Sequence, residues 1–391
     1  MMKILIWSLH FSVGGGMRLL HNLTAALARQ PEVTRIRLVV SPDFQMRNAE
    51  ELLKTGKIEI ANTELTINHP ACAPFLRDMD IVYYFWPHTQ QFQLIDRPTV
   101  CTFHDTTIFD FVPPFVTGNE LSSYWRTSKT WLDHISSVVV SSQHVRNRLI
   151  SHFGNRIQRA VVIPHAITPI SKIYSKRVSP ELAARLPEEY IIYPSNTSPH
   201  KNHYNLLIAL SQFADRKKYP LVLTGYSTEL LRKPFPDTTP ELRWNPTLIS
   251  IIKQKGLVLD KDVFPIGFVK DSDIPPLIRN AKALIMPSLS EGGGSYPVEE
   301  ALRLGTPVLC SDIPVMREHL SNHSAKIAWF DPHSPNSIAN ALEQFFSDYD
   351  TYKHSAVLGI HDPSKSWDDI AKQYLEVFRQ TYWRYYGRIA P

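Results

Sequence analysis

The chain has 391 residues, of which 43% are hydrophobic and 20% charged, and its formal net charge is +5; this length is long for one core and comfortable for two domains. Its three cysteines lie far apart and form no CxxC pair, which argues against a zinc site or a disulfide framework and favours a reducing compartment. No run of about eighteen apolar residues is present, and the apolar run near the amino terminus is too short for the core of a signal peptide. We therefore expect a cytoplasmic protein.

The first half of the sequence alternates short apolar runs with helical patterns. Apolar runs predict strands at residues 2–7, 80–85, 99–103, 137–141 and 160–163. Helical patterns occur near 119–133 and 142–153, between those runs. This alternation predicts a doubly wound parallel sheet with helices on both faces.

A run of three glycines, 14–16, follows the first predicted strand, at a turn where open α/β folds bind ligands. The spacing is not GxGxxG, and no acidic residue closes the next strand, so a dinucleotide-binding oxidoreductase is disfavoured. The sequence also has no GxxxxGK[ST] pattern, which disfavours NTP hydrolysis of the P-loop type.

Residues 165–187 are rich in Pro, Ser and Lys and predict an interdomain linker. A second α/β series follows, with strands predicted at 190–193, 221–224, around Phe264, and at 283–286, 308–310 and 327–330. Ser366 and Asp369 form a capping-box pattern that opens the last helix. We predict a Rossmann-like acceptor-binding domain (1–166) and a Rossmann-like nucleotide-sugar-binding domain (167–365), which face each other across a cleft. A final helix (366–391) is expected to pack back on the first domain.

The most informative stretch is PSLSEGGGSYPVEEALRLGTPVLCSDIP, residues 287–314. Its pattern predicts a glycine-rich loop that enters a helix and then a strand. Glycines let backbone N–H groups approach a ligand, and a helix amino terminus favours a phosphate. Glu291 and Glu299 are pure acceptors when ionised and suit the hydroxyls of a sugar or ribose. The pattern suggests a sugar-nucleotide site, and the alternative is an ordinary connection with two solvated glutamates.

Glu291 and Glu299 are separated by seven residues, and this stretch resembles the E-x7-E motif of retaining glycosyltransferases of family 4, which have the GT-B fold. The family pattern is EGFGLPxxEA-x3-G-x-PV. The chain keeps the residues that define it, namely Glu291, Gly292, Gly294, Glu299, Ala301, Gly305, Pro307 and Val308. It departs at Gly293, Ser295 and Tyr296, which lie in the part of the loop nearest the sugar.

The resemblance implies a role for each matching residue. It implies that His104, Glu291 and Lys201 take part in catalysis, with His104 and Glu291 on the donor sugar. It implies that Lys201 holds the donor diphosphate and Glu299 the ribose. The remaining donor contacts that it implies are Gly15, Gly16, Gly293, Gly294 and Ser295. His88, after the strand at 80–85, is a weaker candidate on the acceptor side.

The segment around Lys201, SNTSPHKNH, differs from the family in its charges. Family members usually carry an Arg a few residues before this Lys and often one directly before it. Here Asn196 and His200 occupy this region, and both are expected to contact the donor. One permanent charge is therefore missing, or is replaced by His200, which is charged only at lower pH.

Three DxD pairs raise the question of a metal: Asp78 with Asp80, Asp271 with Asp273, and Asp348 with Asp350. None follows a predicted strand together with further ligands, so we interpret all three as incidental. We expect no metal and no cofactor, with helix dipoles and Lys201 stabilising the leaving group instead.

Basic and aromatic residues interleave in two places. Between residues 121 and 160 the basic members are Arg126, Lys129, Arg146, Arg148, Arg156 and Arg159, and near the carboxyl terminus they are Arg379, Arg384 and Arg388. Such mixtures can hold a protein on an anionic lipid surface, and a purely structural helix is the alternative. No nucleic-acid-binding motif accompanies them.

These observations predict a retaining, metal-independent glycosyltransferase that moves a hexose-type sugar from a UDP- or GDP-sugar to an acceptor hydroxyl. We expect a glycan or lipid-linked acceptor, in the assembly of a cell-surface glycan or polysaccharide at the inner face of the plasma membrane. Two alternatives stay open. One is a GT-B-like sugar-nucleotide epimerase or hydrolase, and the other is a non-catalytic sugar-nucleotide-binding scaffold.

Overall fold

The structure is a computed structural model that describes residues 1–9, 15–44, 49–166, 177–233 and 244–387, apart from the side chains of residues 155 and 156. The chain divides into two compact units. The first unit comprises Met1–Phe109, Val116–Thr168 and Ser364–Pro391, and the second comprises Asp110–Phe115 and Pro169–Pro363. Both units are α/β, as the alternating pattern predicts.

The first unit contains a parallel sheet of seven described strands. In chain order the strands are β1 (Met2–Ser8), β2 (Val33–Val40), β3 (Ile58–Asn62), β4 (Ile81–Tyr84), β5 (Thr99–Phe103), β6 (Ser137–Val140) and β7 (Val161–Val162). The helices of this part of the chain are α1 (Gly15–Arg29), α2 (Ala49–Leu53), α3 (Ala73–Leu76), α4 (Thr107–Asp110), α5 (Gly118–His134) and α6 (Gln143–Phe153). The central strands are almost fully apolar and buried, as expected for a parallel sheet that is covered on both faces.

The second unit contains a parallel sheet of six described strands. They are β8 (Ile191–Pro194), β9 (Leu221–Thr224), β10 (Val263–Gly267), β11 (Ala283–Met286), β12 (Val308–Ser311) and β13 (Ala328–Phe330). The helices are α7 (Pro180–Ala183), α8 (His203–Gln212), α9 (Asn245–Gln254), α10 (Ile274–Asn280), α11 (Tyr296–Arg303), α12 (Pro314–His319), α13 (Pro335–Ser347) and α14 (Tyr349–Leu358). One continuous hydrophobic core joins these elements.

The last helix, α15 (Trp367–Tyr386), belongs to the first unit. The capping box forms as the sequence predicts, because Ser366 accepts from the Asp369 N–H and Asp369 accepts from the Ser366 N–H. The Tyr374 hydroxyl lies 3.1 Å from the Thr102 hydroxyl of β5, in the buried interior. The carboxyl-terminal helix therefore packs on the first sheet, as expected. Among the helices that the structure describes, none combines the length and apolar character needed to cross a membrane.

Each sheet has one position where the direction of strand order reverses. The first sheet has the order β3-β2-β1-β4-β5-β6-β7, so the reversal lies between β1 and β4. The second has the order β10-β9-β8-β11-β12-β13, so the reversal lies between β8 and β11. Loops that leave the carboxyl ends of strands at such a reversal form the usual ligand-binding crevice of open α/β sheets.

Candidate active site

Two loops at the reversal point of the second sheet carry most of the predicted donor-binding residues, and several hydrogen bonds join them. The loop after β8 contains Lys201, and the loop after β11 contains Glu291. The Leu289 N–H donates to the carbonyl of His200 over 2.8 Å. The Asn202 Nδ2 donates to the carbonyl of Pro287, also over 2.8 Å. The two loops thus form one rigid surface at the carboxyl edge of the sheet.

Lys201 and Glu291 form an ion pair on this surface, with 2.7 Å between Nζ and Oε1. Their side chains are 20% and 12% exposed, so the pair is largely shielded from water. A lysine ammonium has three donors, so the contact with Glu291 leaves Lys201 able to donate to an anionic ligand. The sequence predicts that Lys201 opens a helix, whereas the structure places it at the end of a 3₁₀ turn, Pro199–Lys201, just before α8.

The glycine-rich loop leads into α11 as predicted. Gly294 has φ +102°, a conformation that favours glycine. Ser295 is the N-cap residue and is buried, but its side chain makes no capping hydrogen bond. Pro297 lies in the first turn, where the missing N–H costs nothing. The Ser295 side chain therefore does not cap α11, and a helix amino terminus without such a cap suits an anion.

Glu299 lies in the first turn of α11 and is 8% exposed. Its Oε1 is 3.0 Å from Nε2 of His319. The ring N–H is poorly aligned with the oxygen, so this is a close polar contact and not a straight hydrogen bond. Burial raises the pKa of Glu299, but His319 and, more weakly, His323 and Arg303 outweigh it, so the pKa lies below its ordinary value. Glu299 is thus a carboxylate at neutral pH.

Asn196 and His200 line the loop after β8. The Asn196 Oδ1 accepts from the Ser198 N–H over 3.1 Å, so this side chain helps to shape its own loop. His200 is half-buried, but protein atoms surround its ring closely. Desolvation, with the charges of Lys201 and His203, holds the pKa of His200 well below its ordinary value. His200 is therefore neutral near pH 7 and does not replace the missing Arg charge.

In the first unit, His104 follows β5 and is 3% exposed. Its Nδ1 is 3.3 Å from Nε2 of His165, and its ring packs against Phe85 and Trp86 at centroid distances of 4.4 and 4.5 Å. Burial, then His165 and His88, hold the pKa of His104 well below its ordinary value. The Nε2 atom has no hydrogen-bond partner among the described residues. His104 is therefore a neutral, buried imidazole with one unsatisfied polar atom.

Gly15 and Gly16 are the first two residues of α1, directly after the turn that follows β1. The first glycine of that run, Gly14, lies outside the described residues. The structure thus places Gly15 and Gly16 in a helix amino terminus and not in a free loop. Their N–H groups are among those that α1 cannot satisfy by its own hydrogen bonds.

Acidic residues of the three DxD pairs have protein partners. Asp80 accepts from the backbone N–H of Lys3 over 2.7 Å, and Asp348 pairs with Lys326 over 2.8 Å. Asp273 accepts from the backbone N–H and the hydroxyl of Ser179 over 2.8 and 3.1 Å. Within the described ranges, no group of three or more His, Cys, Asp or Glu side chains is placed to hold a metal ion.

Sequence reasoning missed three residues that build the site. Asn202 is buried, has φ +60°, and binds the carbonyls of Pro287 and Pro332. The Tyr193 hydroxyl donates to the Lys201 carbonyl over 2.9 Å. His319 lies against Glu299, twenty residues further along the chain. An Asn directly after Lys201 is a signal for a left-handed turn, but no local pattern points to Tyr193 or His319.

Comparisons with known proteins match both halves of the chain to glycosyltransferases. Residues 13–169 match the family described as Glycosyltransferase Family 4, and residues 175–357 match Glycosyl transferases group 1. O-antigen chain mannosyltransferase B of Escherichia coli is 25% identical over 313 residues, which are 78% of this chain and 76% of the relative.

Two solved structures share the fold over nearly the whole chain. Sucrose-phosphate synthase of Thermosynechococcus elongatus superposes with a TM-score of 0.70 at 15% identity, over 98% of this chain and 99% of the other. Anabaena HepE, solved in complex with UDP and glucose, superposes with a TM-score of 0.65 at 19% identity, over 97% of this chain and 98% of the other. With two family matches that cover most of both halves and two parallel α/β sheets of the same architecture, the chain belongs to the glycosyltransferases of the GT-B fold.

Proposed function

We propose that the chain is a retaining, metal-independent hexosyltransferase whose donor is a nucleoside diphosphate sugar. The observation that carries the proposal is the surface at the β8–β11 reversal, where Lys201, an uncapped helix amino terminus and the carboxylate of Glu299 occur together. A cation and backbone N–H groups suit a diphosphate, and a carboxylate suits ribose hydroxyls.

In this proposal the residues are divided among the parts of the donor. Lys201 and the N–H groups of Gly293, Gly294 and Ser295 bind the diphosphate, with Asn196 and His200 beside them. Glu299 binds the ribose, and Glu291 binds hydroxyls of the sugar while it holds Lys201. From the first unit, we assign the sugar to His104 and the diphosphate to Gly15 and Gly16, as the family resemblance implies.

The reaction exchanges two bonds at the anomeric carbon. The bond between that carbon and the β-phosphate oxygen breaks, and a bond to the acceptor oxygen forms on the same face. The proton of the acceptor hydroxyl moves to the departing phosphate, so that no protein nucleophile is required. Negative charge grows on the phosphate as it leaves, and Lys201 with the α11 amino terminus stabilises that charge without a metal ion.

Mannose is the sugar that we propose first. The relative with 25% identity is named as an O-antigen chain mannosyltransferase. A second relative, the mannosyltransferase RfbU of Salmonella typhimurium, is also named for the O-antigen chain. These names support a mannosyl residue as the group transferred and a growing cell-surface polysaccharide as the acceptor. HepE, whose structure contains UDP, supports a nucleoside diphosphate as the second product.

The test is an activity assay with GDP-mannose, UDP-glucose and UDP-galactose and with mannosyl oligosaccharide acceptors. The proposal predicts a new α-glycosidic linkage in the product, detected by NMR, and full activity in EDTA. An inverted anomeric centre would overturn retention, and loss of activity in EDTA would overturn metal independence. A free sugar or an epimerised donor, without a new linkage, would favour the epimerase or hydrolase. Tight nucleotide binding without turnover would favour a scaffold.

Glu299→Ala is the variant that tests the ribose role. We expect most of the donor affinity to be lost, because a carboxylate that binds hydroxyls contributes about 1.5–3 kcal/mol, or roughly 10- to 150-fold. Glu189→Ala is the matched control, since Glu189 pairs with Lys282 in the same unit at a partly exposed position. Equal donor affinity in wild type and Glu299→Ala would contradict the assignment.

We further propose that the enzyme works as a peripheral protein at the cytoplasmic face of the membrane. The three cysteines are free and buried, in keeping with a reducing compartment. Trp383 on α15 is 69% exposed beside Arg384, which suits an anionic lipid surface. Arg379 is already paired with Glu32 and Glu376. Arg388 and the side chain of Arg156, both part of the predicted basic mixtures, lie outside the described residues.

Sedimentation with vesicles tests this contact. We expect binding to vesicles of phosphatidylcholine with about 30% phosphatidylglycerol, and a reduction of about tenfold for Trp383→Ser. Tyr226→Ser is the control, because Tyr226 is 46% exposed in the second unit. Equal sedimentation of both variants and wild type, or no sedimentation of any, would contradict the proposal.

A further inference from the structure

His319 contacts both Glu299 and Gly294, two of the residues assigned to the donor. The family motif does not include it. We propose that His319 is a positioning residue, which orients the Glu299 carboxylate and packs against Gly294 of the glycine-rich loop. This inference rests on the proposed role of Glu299 in ribose binding.

The first observation is the pair itself. The Nε2 of His319 lies 3.0 Å from the Oε1 of Glu299, and the two side chains are only 13% and 10% exposed. A carboxylate that is nearly removed from water needs a partner to stay charged and fixed. One oxygen faces His319, and a carboxylate keeps acceptor sites for further donors. His319 therefore orients Glu299 while leaving it able to accept from a ribose hydroxyl.

The second observation is the packing of the same ring against Gly294. A Cβ atom built on Gly294 would lie 2.5 Å from both Cγ and Nδ1 of His319 and 2.6 Å from Cδ2. The imidazole thus occupies the space that any side chain at position 294 would need. One ring therefore contacts Gly294, which is assigned to the diphosphate, and Glu299, which is assigned to the ribose.

The third observation is the rigidity of the element that carries the ring. His319 is the last residue of α12, in which Val315 and Met316 are buried. Arg317 on the same helix makes two hydrogen bonds to Asp312, of 2.7 and 2.8 Å, and stacks on Trp329 at 3.8 Å. A side chain on an element held in this way can position its neighbour precisely enough for binding.

The other groups that lower the pKa of Glu299 have partners of their own. His323 is 3.0 Å from Asp362, and Arg303 donates to the carbonyls of Ile360 and Asp362. Both act on Glu299 through charge alone. His319 is the contact that a substitution can remove while these groups remain in place.

The experiment compares four proteins: wild type, His319→Leu, His319→Gln and Glu299→Gln. Titration calorimetry with GDP and with UDP gives the affinities, and donor kinetics give KM and kcat. We expect His319→Leu to weaken binding and raise the donor KM about tenfold, with a much smaller change in kcat. His319→Gln keeps a side-chain N–H donor and should recover to within about threefold.

Three results separate the inference from the function on which it rests. If Glu299→Gln weakens binding while His319→Leu binds as wild type, His319 has no positioning role. If the two His319 variants are equally impaired, the ring contributes only volume and the inference also fails. If Glu299→Gln binds as wild type, the ribose assignment itself is wrong. Thermal denaturation of each variant checks that all four proteins are folded.

Discussion

Lys201 and Glu291 balance each other's charge at a position that is largely shielded from water. Replacing Lys201 by Ala removes the cation assigned to the diphosphate and leaves Glu291 facing the site unpaired. We expect donor affinity to fall by about 10- to 150-fold, since hydrogen bonds to charged groups contribute about 1.5–3 kcal/mol. Titration calorimetry with the nucleoside diphosphate measures the change.

Lys326→Ala is the control for that substitution. Lys326 pairs with Asp348 over 2.8 Å in the same unit, but both side chains are more than 40% exposed. Exposed pairs contribute about 0–1 kcal/mol, so Lys326→Ala should bind the donor as wild type does. Equal loss in both variants would show that charge in general, and not Lys201, determines binding.

Gly294 is constrained in two ways, by its φ of +102° and by the His319 ring 2.5 Å from its missing Cβ. Gly294→Ala should therefore lower the free energy of unfolding by about 1–3 kcal/mol. Gly256→Ala separates the two causes, because Gly256 has φ +64° with nothing within 4 Å of its Cβ position. Urea denaturation should show the larger loss for Gly294→Ala. Equal losses would mean that the His319 ring moves away from position 294 at little cost in free energy.

His203 is fully buried, and neither ring nitrogen has a hydrogen-bond partner among the described residues. Burial, then the charge of Lys201, lowers its pKa from 6.5 to about 3. As pH falls from about 6.5 to about 3, the unfolded chain binds a proton that the folded protein does not, so stability decreases with acid. His203→Leu removes this contribution, and its unfolding free energy should depend less on pH in that range.

Equilibrium denaturation at several pH values between 4 and 7 measures this difference. His333→Gln is the control, because His333 is exposed in the same unit. Its pH dependence should match that of wild type. If His203→Leu also matches wild type, His203 is protonated in the folded protein and the assignment of its neutral state is wrong.

Among the elements, most strands are predictable from the sequence, and one edge strand is not. The strands Thr99–Phe103, Leu221–Thr224 and Ala283–Met286 occur at the predicted bounds, because strands covered on both faces are continuous apolar runs between polar turns. The edge strand Ile58–Asn62 is missing from the prediction. It pairs with β2 alone and keeps polar residues such as Glu59 partly exposed, so no clean apolar run identifies it.

The capping box of α15 gives a prediction for an element. Ser366→Ala removes the hydroxyl that accepts from the Asp369 N–H, and the cost should be about 0.5–2 kcal/mol. For a unit of this size we expect the first unit to melt about 2–4 °C lower per kcal/mol. Ser151→Ala is the control, since Ser151 is exposed on α6 and its hydroxyl only donates to the Arg148 carbonyl. Equal melting temperatures of Ser366→Ala and wild type would contradict this role of the cap.

For the molecule as a whole, the sequence predicts the two α/β units and the loops that carry the site. The motif from Glu291 to Glu299 lies on one stretch of chain, and a local pattern is enough to find it. The pairing of Glu299 with His319 and the hydrogen bonds of Asn202 depend on how α12, β11 and α8 meet in space. No spacing rule in one sequence contains that information, so the partners of the motif were not predicted.

The central claim is that the second unit binds a nucleoside diphosphate through Lys201. Thermal unfolding with and without GDP, UDP and ADP, for wild type and Lys201→Ala, tests it most directly. At one hundred times its Kd, a ligand stabilises the protein by about 2.7 kcal/mol. The account predicts a clear rise in melting temperature for wild type with one of the three and little or none for Lys201→Ala. No rise for wild type with any of them, or an equal rise for both proteins, would contradict the account.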